Sequence, residues 1–181
     1  DRALIYTLGR LTTLPMLIGS IIHELARDSL QSAAAGRLWP PAVCVASGRS
    51  LLDAGLRRSE KTAHKLRRET HRQSTPGKGT VLLDADYYGE PWSFADRDAA
   101  LADVARYAEA LCNHPLYQKA LSHSDYLVAV DQFDSFHIGD TPVYAVPDVI
   151  QRVEEGRLRL VDWKTGRTVA AHLERYSRQL L

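Results

Sequence analysis

Two short stretches near the C-terminus hold the residues best suited to chemistry: Pro147-Asp148 and, a hairpin later, Val161-Asp162-Trp163-Lys164-Thr165-Gly166. Alternate side chains of a strand share a face, which predicts Asp162 and Lys164 on one side and Val161 and Trp163 on the other. A carboxylate is a hard oxygen ligand suited to Mg²⁺ or Mn²⁺. A neighbouring ammonium can orient or help deprotonate a water and offset charge developing on a phosphate. Asp148, across the Glu155-Gly156 turn, would supply a second carboxylate. The pattern points to metal-assisted attack on a phosphodiester. An Asp-x-Lys pair is also what an ordinary surface ion pair looks like. The apolar Leu160-Val161 before it predicts a buried Asp162, and a buried carboxylate must be paired or metal-bound.

These residues need elements to position them. From Leu14 to about Gln31, Leu17, Ile21 and Leu25, flanked by Ile18 and Ile22, recur at helical spacing and predict a well-buried helix that carries His23. A lone histidine on such a helix is either a satisfied core residue or a ligand, and the acids downstream favour the ligand. Gly36 and Pro40-Pro41 interrupt the pattern. A second helix is predicted from about Ala42 to Arg72, followed by a loop at Ser74-Thr75-Pro76-Gly77-Lys78-Gly79. Ser93 is a cap for a helix over about Ala95 to Cys112, with Leu101, Val104, Ala108 and Leu111 on one face. A shorter helix follows around Leu116 to Leu121.

The period then becomes extended. Tyr126 to Phe133, Val143 to Val153 and Leu158 to Lys164 read as three strands of an antiparallel meander, turned near Gly139-Asp140 and Glu155-Gly156. A last helix is expected from about Ala170 and still runs at Leu181.

The length of 181 residues suits one domain, and 45% hydrophobic with 25% charged residues is an ordinary globular composition. The net charge of +1 conceals a basic segment, Arg57, Arg58, Lys61, Lys65, Arg67 and Arg68, with Arg72 beyond it. It reads as a solvated helix face or as a surface for a phosphate backbone. Cys44 and Cys112 support neither a disulfide framework nor a four-cysteine metal site, which fits a reducing compartment. Leu11 to Leu25 is interrupted by Pro15, His23 and Glu24 and is too short to span a membrane. The expectation is a cytoplasmic protein without a membrane partner. A chain that opens on Asp1 and stops inside an expected helix suggests a piece of something longer.

In order and spacing, the chain resembles the RecB-like branch of the PD-(D/E)XK nuclease superfamily. Gly19-Ser20-Ile21-Ile22-His23-Glu24 is similar to its histidine motif and Pro147-Asp148 to its first acid. Val161-Asp162-Trp163-Lys164-Thr165-Gly166 is close to the family's Asp-Tyr-Lys-Thr-Gly, and Tyr176-Ser177-Arg178-Gln179-Leu180 resembles its glutamine motif. The resemblance implies an α/β fold, a restriction-endonuclease-like α-β-β-β-α core with a largely antiparallel or mixed sheet. A helical insertion of about residues 33–124 would follow the first helix, and residues 1–181 would form one nuclease-like domain whose core is cut short at its C-terminal end. It implies Mg²⁺ or Mn²⁺ held by His23, Asp148, Asp162 and the Val161 carbonyl, with Lys164 as the catalytic lysine. Gln179 and Tyr176 would contact the substrate backbone or steady the lysine, and Asp131 lies where relatives often place a glutamate. The implied activity is hydrolysis of single- or double-stranded DNA, as an exonuclease in repair, recombination or defence, within a larger nucleic-acid-processing complex.

Two other readings compete. One is a domain that keeps the nuclease fold but only binds DNA or acts as a scaffold. The other starts from Asp84 and Asp86 after Val81-Leu82-Leu83, a pattern similar to that of haloacid-dehalogenase-like phosphatases. That family wants Thr or Val two residues after the second acid, where Tyr88 stands, so the two acids are expected to be solvated turn residues.

Overall fold

The computed structural model describes residues 2–68, 80–90, 92–123, 125–132, 134–153 and 156–165. The architecture is mixed α/β. Helices α1 (Arg2–Leu8) and α2 (Leu14–Ala34) lead into α3 (Pro41–Arg68), α4 (Asp84–Tyr88), α5 (Phe94–Cys112) and α6 (Pro115–Ser122). Strands β1 (Leu127–Val130), β2 (Asp134–Ile138), β3 (Thr141–Ala145), β4 (Val149–Arg152) and β5 (Leu158–Val161) follow. None of the described helices is long and apolar enough to cross a membrane.

Local chemistry starts these helices where the sequence places them. The Thr13 hydroxyl accepts the Met16 N–H, and Pro15 sits in the first turn of α2, where a missing N–H costs nothing. Before α5, Ser93 and Asp96 form a reciprocal capping box, and the two hydrogen bonds from Ser93 hold the Asp96 carboxyl below its ordinary pKa.

The helices expected as an insertion form the larger part of the core. Leu17, Ile21, Ile22 and Leu25 of α2 pack with Leu52 and Leu56 of α3 and with Val104, Ala108 and Leu111 of α5. Small residues let the axes approach: a Cβ at Gly48 of α3 would stand 2.7 Å from Val104 Cγ1 and 3.0 Å from Leu25 Cδ1. Cys44 and Cys112, far apart in sequence, both lie in this core, where burial pushes the Cys44 thiol up to about 12 and keeps it protonated. A second cluster joins the end of α2 to α6 and the sheet through Leu30, Ala33, Leu116, Tyr117, Val130 and Val149. The buried Tyr117 hydroxyl receives the Trp39 N–H at 2.7 Å and donates to the Trp39 carbonyl at 3.2 Å.

The strands differ from the expected meander. β1, β4 and β5 form a three-stranded antiparallel sheet in the order β1-β4-β5, whereas β2 and β3 pair separately around Gly139-Asp140. The long middle strand, expected over Val143 to Val153, is broken at Val146-Pro147-Asp148. Pro147 has no N–H to offer a ladder. Asp131, with φ of +50°, turns the chain at the end of β1, and its N–H donates to the Asp148 carbonyl at 2.9 Å. The β2–β3 hairpin is thus an excursion between two paired strands, and its base sets Asp148 at the start of the central strand β4.

Asp86 also departs from its expected place as a solvated turn residue. It is 8% exposed on α4, its carboxylate accepts the Ser59 hydroxyl and the Trp92 indole N–H at 3.0 Å, and Ser59 in turn accepts the Leu83 N–H at 2.7 Å. A carboxylate so engaged ties α3 to α4 and is not arranged for phosphoryl transfer. The expected C-terminal helix, with Tyr176 and Gln179, lies outside the described residues.

Candidate active site

His23 stands on α2 one turn beyond Gly19, on the side away from the α2–α3–α5 core. Its Nδ1 is 3.2 Å from Asp148 Oδ1, and its Nε2 is 3.0 Å from the Trp163 carbonyl. The other Asp148 oxygen accepts the Trp163 N–H at 2.6 Å. One carboxylate and one backbone unit therefore grip the imidazole from two sides. They join a helix near the front of the chain to a segment 140 residues later.

These groups line a cleft of about 900 Å³ together with Ser20, Glu24, Arg27, Asp131 and Lys164. Arg27 donates to Asp28 at 2.8 Å and reaches toward Asp131 at 3.6 Å. The Asp28 hydrogen bond, with the nearby acids, holds its proton more firmly than usual against the opposing effect of burial. Arg27 is four residues after His23, the spacing that puts two side chains on one helix face, so the sequence carried a signal for it. For the role of the Trp163 backbone there was none.

The structure brings together His23, Asp148, Lys164 and the weaker candidate Asp131. It does not bring Asp162 to them as a ligand. Asp162 pairs with Lys164 at 2.7 Å, its side chain is 40% exposed rather than buried, and it does not line the cleft. Among the described residues no group of three or more His, Cys, Asp or Glu is placed to hold a metal. The reason lies in how the backbone and side chains beyond β5 are shared out. The N–H and C=O of Trp163 are taken by Asp148 and His23, while the side chains of Asp162 and Lys164, two residues apart, meet each other. The Val161 residue stays in register with Val149, and it is the Trp163 carbonyl that faces His23.

Gly19 leaves room for the same segment. A Cβ there would lie 2.9 Å from the Thr165 hydroxyl, so the end of the Asp162–Thr165 segment rests directly on α2. Alanine is better than glycine in a helix interior by about 1 kcal/mol. Gly19→Ala is expected to lose that gain in the native chain and to recover it in a Thr165→Ala background. A double-mutant cycle by urea unfolding measures the coupling, and strictly additive effects would show that the two residues do not meet.

The basic segment lies elsewhere. Arg57, Arg58, Lys61, Lys65 and Arg68 are exposed on α3, opposite Leu52, Gly55, Leu56, Ser59 and Ala63, which face the core, and none of them lines the cleft. Arg67 leaves the group and donates to the Asp86 carbonyl at 2.6 Å.

Comparison of the chain with protein-family models, with curated proteins and with solved structures gives no match.

Proposed function

We propose that this cleft is the active site of a metal-dependent deoxyribonuclease of the RecB-like PD-(D/E)XK type. One observation carries the reading: His23, Asp148 and Lys164, from motifs at opposite ends of the sequence, line one cleft. The donors suit a hard divalent ion. Two ligands at right angles, each about 2.1 Å from Mg²⁺, are about 3.0 Å apart, and Mg²⁺ usually takes one or two carboxylates and keeps several waters. The 3.2 Å between His23 Nδ1 and Asp148 Oδ1 matches that spacing.

His23 and Asp148 would hold Mg²⁺ or Mn²⁺, which supplies polarisation of the phosphate and a lowered pKa for a bound water. Trp163 fixes the imidazole and the carboxylate relative to each other through its backbone. Lys164 orients the attacking water and offsets charge developing on the phosphate. Asp162 acts on Lys164 rather than on the metal, holding the ammonium at the mouth of the cleft. DNA is the substrate, and Tyr176 and Gln179 keep the substrate-contacting roles that the resemblance implies.

The Lys164–Asp162 ion pair and the incomplete ligand set favour a second reading, a domain of the same kind that binds DNA without cutting it. One assay separates the two. The protein is expected to degrade end-labelled linear DNA with Mg²⁺ or Mn²⁺ and not with EDTA, and Lys164→Ala is expected to lose at least about 10²-fold in rate. Degradation that persists unchanged in Lys164→Ala overturns the assignment, and binding without degradation by the wild type selects the second reading.

A further inference from the structure

At the far end of β5 is a second cleft, of about 850 Å³, whose charged lining is cationic where that of the first mixes acids with bases. Lys119 of α6, Arg152 of β4, Arg157 and Arg159 line it with the rings of His123 and Tyr126, and the described lining contains no carboxylate. In a chain with 23 basic and 22 acidic residues, such a concentration of one sign in a concave surface is a local excess. Lys119 Nζ lies 5.9 Å from the centre of the Tyr126 ring, whose hydroxyl is held by Gln151 at 2.8 Å. Apolar surface is interleaved with the charge. Leu158 and Leu160 are 53% and 58% exposed and form part of the wall.

We infer that this cleft binds a single strand of nucleic acid, with phosphates on the arginines and lysine and base faces against Tyr126, His123 and the two leucines. Cations spaced along a groove neutralise a phosphate backbone, and ring or apolar faces between them take unpaired bases of any sequence. A duplex keeps its bases stacked inside and would leave Leu158, Leu160 and the rings without partners. The basic stripe of α3 is convex and offers no such wall. β5 itself links the two clefts: Arg159 and Leu160 border the cationic one, and Trp163 and Lys164, five residues after Arg159, border the other at about 16 Å along an extended chain. A strand held at the cationic cleft would therefore be delivered toward His23 and Asp148. This deepens the nuclease reading, on which the delivery rests, while binding itself is measured apart from cleavage.

The test uses fluorescence anisotropy of a labelled oligothymidylate, titrated in EDTA over a range of salt concentrations. Lys119→Gln/Arg152→Gln/Arg159→Gln is expected to weaken binding at least about tenfold and to lower the salt slope by about 2, at about 0.7 per phosphate contact. Arg159→Glu alone, at an exposed position, should weaken it in the same direction if the triple variant does not fold. Arg57→Gln/Lys61→Gln/Arg68→Gln should keep most of the affinity. Wild-type affinity in folded cleft variants overturns the inference, as does absence of oligothymidylate binding by the wild type or tighter binding of a duplex of equal length. Cleft-dependent binding by a protein that cuts no DNA overturns the nuclease reading and leaves the cleft standing.

Discussion

Replacing Asp148 by asparagine is expected to lower metal-dependent DNA cleavage about 10²–10³-fold, the usual effect of removing one charged or polar group from a reacting centre. The substitution keeps the volume of the side chain. Its carbonyl can still accept the Trp163 N–H that Asp148 Oδ2 accepts at 2.6 Å, and its amide can face His23 Nδ1, now 3.2 Å from Oδ1. What disappears is the charge. DNA binding in EDTA should be unchanged, and the stability loss should be modest, about 1 kcal/mol for a partly exposed pair. Calorimetry should show Mn²⁺ affinity reduced at least about tenfold, as for loss of a contributor to a metal site. Undiminished Mn²⁺ affinity together with full cleavage would remove Asp148 from the assigned role.

The largest effect on stability is expected from Asp86→Ala. The change removes the acceptor of the Ser59 hydroxyl, buried in the α3–α4 contact, and of the Trp92 indole N–H, half-buried beyond α4. Unsatisfied buried polar groups cost about 1–3 kcal/mol each, so a loss of about 2–4 kcal/mol is expected, since the Ser59 hydroxyl can turn elsewhere and Trp92 cannot. Urea unfolding reads it directly. Asp84→Ala is the control, because that carboxylate accepts the neighbouring Ala85 N–H, at 2.8 Å, and takes no part in the Ser59–Asp86–Trp92 contacts, so a loss equal to that of Asp86→Ala would show that the effect is not specific to the buried acceptor.

Elements with a strong local signal were legible in advance. α2 and α5 lie within a few residues of the spans read from their apolar period, because their caps are local: Thr13 and Ser93 meet N–H groups three residues away. The strands were less legible. A run such as Val143 to Val153 has one extended period on both sides of Pro147, and it is the pairing of Asp131 with Asp148 that turns this local weak point into a break. The burial of Asp86 is hidden from the sequence for a similar reason. Beside Asp84 and a turn it looks solvated, while the hydroxyl that buries it comes from Ser59, 27 residues earlier.

The sequence alone determined which side chains could do chemistry, the positions of the long helices, and the order of the His23, Asp148 and Asp162-x-Lys164 motifs, since types, caps and periodicity act over a few neighbours. Tertiary structure decided which of those side chains meet. It set His23 against Asp148, turned Asp162 toward Lys164, aimed Arg67 at α4 and gathered Lys119, Arg152 and Arg159 into one groove. Those outcomes depend on where a helix packs and where a strand breaks. Both are settled by contacts between residues far apart along the chain, which no local pattern records.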